Sequence, residues 1–267
     1  MTKTLASLSA ALMLVAAAAA GGLRAQSTAS TPDFTGVYYP INPFGAPARG
    51  GRAGAPPPAP AGRGGALPPP TRSSPTADGS QGRPTTAPKL RPEYMAKWEV
   101  IRKSRMGGSS EFDPSAKCLS AGMPSMMSMT YGMEVQQTKD RITIYGELND
   151  VYRRIFLDGR KPSQKVLDDP TYAGYSTGHW EGDTLVVDTV ALRDDTYLDT
   201  FSPHSDELTV HERIRFTSPG LLEDRITARD PKALLEPHES VRTFRKATPP
   251  NDELREFSCP EGLPSAK

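Results

Sequence analysis

From Met133 onward, apolar side chains recur at every second residue in short runs, and each run ends in a turn signal. Met133 to Thr138 and Arg141 to Tyr145 flank Lys139-Asp140 and put Val135, Ile142 and Ile144 on one face of a hairpin. Val151 to Leu157 comes next and stops at Asp158-Gly159. Gly178-His179-Trp180 and Thr184 to Val190 flank Glu181-Gly182-Asp183, and Leu208 to Phe216 and Leu221 to Arg229 flank Thr217-Ser218-Pro219-Gly220. Val241 to Arg245 and Leu254 to Cys259 supply the last strands. Half-apolar strands of this kind must stack as two sheets or close on themselves. Short turns and meander order predict a mainly β domain, an antiparallel up-and-down, calycin-like barrel of about eight strands, with a β-sandwich as the alternative. Ahead of it, Leu90 to Arg105 carries Tyr94, Trp98 and Ile101 at helical spacing behind Pro92 and reads as one flanking helix.

The rest of the chain reads differently. Residues 45–88 are dominated by Pro, Gly, Ala and Arg, a composition that cannot bury enough apolar area to offset its ordering entropy, and they read as a disordered linker ahead of a β domain at 89–262. Residues 26–44 include Pro32-Asp33-Phe34-Thr35-Gly36-Val37-Tyr38-Tyr39, a first strand or a docking segment. Residues 1–25 have Lys3, an apolar run from Leu5 to Ala20 and Leu23-Arg24-Ala25 before Gln26, the pattern of a cleaved signal peptide, and predict a periplasmic or secreted protein. No other run approaches the length of a membrane span, so none is expected after processing. Lys+Arg 32 against Asp+Glu 31 leaves no basic surplus for phosphate, which argues against a nucleic-acid partner. In an oxidising compartment the two cysteines, Cys118 and Cys259, predict a disulfide, worth about 4–5 kcal/mol for so long a loop in the chain-entropy model.

Candidate chemistry gathers in the second half. Simple register in the 208–229 hairpin sets Glu212 opposite Arg225 on the more apolar face, with Leu208, Val210, Ile214, Phe216 and Leu221, so this pair is expected to point inward as structure or as a ligand contact. His204, in the turn-rich Ser202-Pro203-His204-Ser205-Asp206, is a candidate acid/base at the barrel mouth, with Asp199 or Asp206 to fix its tautomer. His204, His211, Asp206 and Glu207 lack the spacing of a zinc motif, so no metal is expected. Walker, GxGxxG, GxSxG and HExxH motifs are missing, and no cofactor is expected.

The run Thr171-Tyr172-Ala173-Gly174-Tyr175-Ser176-Thr177-Gly178-His179-Trp180-Glu181-Gly182-Asp183-Thr184-Leu185-Val186-Val187-Asp188-Thr189, with Pro203-His204-Ser205, Glu212-Arg213 and Asp230-Pro231-Lys232, resembles a family of secreted proteins from Acidobacteria and soil Proteobacteria. The likeness extends from about Cys118 to Pro237, with the Pro32 to Val37 segment. It implies compartment and domain rather than an activity. Many relatives have Gly-His-Ser where this chain has Gly174-Tyr175-Ser176, so any role of that histidine passes to Tyr175 or is absent. Tyr175 and His179 join Glu212 and Arg225 as ligand-binding candidates. Two functions are expected from these readings: a barrel that binds a small apolar or aromatic molecule in its interior, or a cofactor-independent lyase, isomerase or hydrolase using the His204–carboxylate pair in the same cavity.

Overall fold

The computed structural model describes residues 31–41, 87–128, 131–248 and Leu254. The expected signal peptide, Cys259, all but Leu254 of the strand expected from Leu254 to Cys259, and nearly all of the expected linker lie outside the described residues. Nine strands close a barrel in sequence order: β1 (Gly36–Pro40), β2 (Met133–Gln137), β3 (Arg141–Gly146), β4 (Val151–Phe156), β5 (Tyr175–Glu181), β6 (Thr184–Val190), β7 (Thr209–Ser218), β8 (Leu221–Arg229) and β9 (His238–Lys246). Among the described residues, two α-helices accompany them, α1 (Pro92–Met106) and the short α2 (Gln164–Asp168). None of the described helices is long and apolar enough to cross a membrane.

The barrel is mixed rather than wholly up-and-down, and the reason is parity. Nine strands in a ring cannot alternate direction at every step, so an all-antiparallel ring is closed to them. Every neighbouring pair is antiparallel except β4 and β5, which run parallel and pair at only Ile155↔Ser176 and Phe156↔Thr177. The ninth strand is β1, which bridges β2 and β9. At the parallel seam a Cβ on Gly178 would lie 3.0 Å from Ile155 Cγ2 and 3.2 Å from Leu157 Cδ2, so the strands approach this closely because the residue has no side chain.

Alternation sets the core as read from sequence: Val135, Ile142 and Ile144 are buried together, as are Leu208, Val210 and Ile214 on the β7 side. One barrel end is filled by Phe34, whose ring lies 5.2 Å from that of Trp180 and 5.1 Å from that of Phe216. Over the other end lie α1, the segment 118–128 and the long connections 191–208 and 230–237. α1 buries Trp98 and Ile101, while Arg91 N–H donates to Ala233 O and Arg105 Nη1 to Thr200 O. That covered end positions the candidate site.

Candidate functional site

The 191–208 connection is held by two carboxylates that act on backbone. Asp199 Oδ1 accepts from Phe201 N (2.8 Å) and Ser202 N (2.9 Å), while Oδ2 accepts from Ser202 Oγ (2.9 Å). Asp230 accepts from Ser205 N (2.6 Å), Ser205 Oγ (2.7 Å), Lys232 N (3.0 Å) and Ala233 N (2.9 Å). Pro203-His204-Ser205 and Asp230-Pro231-Lys232, apart in sequence, therefore form one network, buried at His204, Ser205 and Asp230. Asp230 was not among the candidate site residues, and its sequence signals are the turn-forming Asp-Pro step and its place in the Asp230-Pro231-Lys232 motif.

His204 lies within this network, 3 % exposed, and the expected carboxylate partner is corrected. Its Nδ1 donates to Ser205 O (2.8 Å), and its Nε2 lies 2.7 Å from Thr196 Oγ1. Burial holds the imidazole below its ordinary pKa, with Ser205 O, Asp230, Asp194 and Asp195 opposing. A neutral ring protonated at Nδ1 needs a donor at Nε2, so the Thr196 hydroxyl points its single proton there rather than at Arg193 O, 3.0 Å away. Asp199 is consumed by its own turn, and Asp206 faces solvent with Lys232 (2.8 Å).

The second group lies inside the barrel. Glu212 points inward as expected, fully buried, but its partner is Arg153 of β4 rather than Arg225. A bulge between Phe216 and Ser218 and a tight Pro219-Gly220 turn, with Gly220 at φ +75°, shift the β7–β8 register by one residue. Glu212 then faces Ile226, and Arg225 turns outward to Glu223 (2.9 Å). A one-residue slip flips the partner strand's faces, which is why Arg225 leaves the interior. Arg153 donates through Nη1 and Nη2 to Glu212, through Nη2 to Thr189 Oγ1 (3.0 Å) and through Nε to Ser176 Oγ (3.2 Å). It thus ties β4 to β5, β6 and β7 across the two-pair seam. Truncating one partner of such a pair leaves an uncompensated buried charge, a loss of about 3–5 kcal/mol.

The remaining candidates do not converge. His179 is exposed on the outer wall, 3.4 Å from Glu181, which also takes Arg213 (2.8 Å). Tyr175 stacks on Phe156 at 5.2 Å, beside an open groove of about 600 Å³ where β4 and the segment 169–174 diverge. A second groove, about 760 Å³, runs between α1, the segment 111–119 and residues 194–197 of the long connection. Val100, Ile101, Phe112, Tyr172, Tyr197 and Pro203 wall it, and Thr196, the hydrogen-bond partner of His204, lines its base. Sequence reasoning missed these wall residues, which come from separate segments. Among the described residues, no cluster of three or more His, Cys, Asp or Glu could hold a metal ion. No family model matches the chain, and no curated protein is found to match it.

Proposed function

We propose that the chain is an exported β-barrel protein that binds a small apolar or aromatic molecule, seated in the groove beside α1 rather than in the barrel lumen. The observation that carries this is the groove itself. Its size falls within the range of about 300–1,000 Å³ typical of small-molecule sites. Three aromatic rings, Phe112, Tyr172 and Tyr197, offer stacking surface, and Val100 stands 59 % exposed at the wall. Charged side chains also line the groove, among them Lys97, Asp113, Lys117, Asp194 and Asp195, and can orient a polar end of a ligand. The lumen offers less, because Arg153 and Glu212 fill its middle.

Binding is favoured over turnover because both His204 nitrogens are occupied and no carboxylate touches the ring. Export and a Cys118–Cys259 bridge belong to the same reading, supported by the N-terminal pattern and by an even pair of cysteines in a chain that carries it. The test is a thermal-shift screen of the purified protein against aromatic and lipid-like molecules, since a ligand that binds only the folded state raises the melting temperature. A hit should lose about tenfold in affinity in Tyr197→Ala, the scale of one aromatic contact. A panel with no stabilising compound, or a hit indifferent to Tyr197→Ala, overturns the proposal.

A further inference from the structure

Inside the barrel, among the described residues, one carboxyl group has no hydrogen-bond donor. Asp224, on the inward face of β8, is 0 % exposed, and neither of its side-chain oxygens accepts from a donor, while the Glu212 carboxyl stands as its side-chain neighbour. The groups around it are few. On β7, Ile214 lies opposite and Glu212 on the diagonal of the same face; on β9, Arg242 lies opposite. From β4 comes Arg153. Beyond Arg242 lie Asp199 and His238.

Neither arginine donates a hydrogen bond to Asp224. Arg153 is spent on Glu212, Thr189 and Ser176. Arg242 sends Nε to Ser128 Oγ (2.7 Å) and Nη1 to Val241 O (3.0 Å). An ionised carboxylate buried without a donor costs several kcal/mol even after relaxation. A proton removes that cost and changes the hydrogen-bonding logic. Two ionised carboxylates are both acceptors and cannot bond to each other, whereas a protonated Asp224 donates to Glu212.

We propose that Asp224 and Glu212 hold one shared proton inside the barrel, and that its loss at alkaline pH loosens the Arg153 clamp across the β4–β5 seam. The Asp224 carboxyl is held well above the ordinary aspartate range, first by burial and then by the Glu212 charge, against the pull of Arg153 and Arg242. A raised folded-state pKa gives stability that is fully present below about pH 4, where an unfolded aspartate titrates, and is lost as pH rises through the folded value. Above it, a second negative charge beside Glu212 competes for Arg153. The bonds from Arg153 to Ser176 and Thr189 loosen in turn, at the seam with only two register pairs.

Infrared spectroscopy of protein carrying ¹³C-labelled aspartate tests the proton directly. The expected result at neutral pH is a protonated-carboxyl band that disappears on alkaline titration and is absent from Asp224→Asn. In parallel, the wild-type melting temperature should fall by several degrees as pH is raised, with faster amide exchange at Ser176 and Thr177, while Asp224→Asn shows neither change. A neutral-pH spectrum without that band overturns the proposal, and so does an alkaline loss of stability that persists in Asp224→Asn. The infrared arm uses wild-type protein, so a missing band overturns the proposal even if the variant fails to fold.

Discussion

With both ring nitrogens engaged and solvent excluded, His204 couples the 191–208 connection to pH through burial. Its folded pKa lies below that of a free histidine, so the unfolded chain binds the extra proton more readily. Stability from this residue is therefore complete above about pH 6.5 and is lost as pH falls through the folded value. Denaturant unfolding across the acid range should show a stability slope that shrinks by up to one proton in His204→Asn. At neutral pH, His204→Ala should cost about 1–3 kcal/mol, because Thr196 and Ser205 lose a buried partner. An unchanged acid slope in His204→Asn would remove His204 from that role. His204 was legible from sequence as a loop histidine near carboxylates. Which atoms it meets was not, because Thr196 approaches only when the loop folds back and Asp199 is taken by amides two and three residues ahead.

At the scale of elements, β1 does more than its five residues suggest. It supplies the odd strand that requires a parallel pair, and Phe34 just before it fills one barrel end against Trp180 and Phe216. Phe34→Ala should destabilise the protein by about 3–5 kcal/mol, as for other buried aromatics, and expose Trp180 to water. Equilibrium unfolding together with Trp180 emission checks both effects, and a loss under about 1 kcal/mol would mean that the end closes without Phe34. The β7–β8 hairpin shows a related limit on register. Alternation along each strand was readable and correctly turned Glu212 inward, but the bulge near Phe216 moved its expected partner to the outside. Local pattern carries the phase of one strand and leaves its phase against a neighbour to the turn.

At the scale of the molecule, α1, the 118–128 segment and the 191–208 and 230–237 connections form the covered end, with Cys118 in the second of these. A bridge from Cys118 to the C-terminal cysteine would shorten the unfolded chain's freedom over most of this structure. Thiol labelling of the denatured, unreduced protein should find no reactive cysteine, and reduction should lower stability by about 2–5 kcal/mol. Two labelled thiols would refute the bridge. The sequence alone determined the features that nearest neighbours along the chain control: alternating strands that must close or stack, the α1 stripe of Trp98 and Ile101, and the inward side of Glu212. Tertiary structure decided the features that depend on residues far apart. Ring closure chose which pair runs parallel, the bulge chose the register, and packing delivered Arg153 to Glu212, left Asp224 without a donor and assembled a groove from four separate segments. Such partners are selected by the free energy of burying polar groups together, which exists only once the chain has closed on itself.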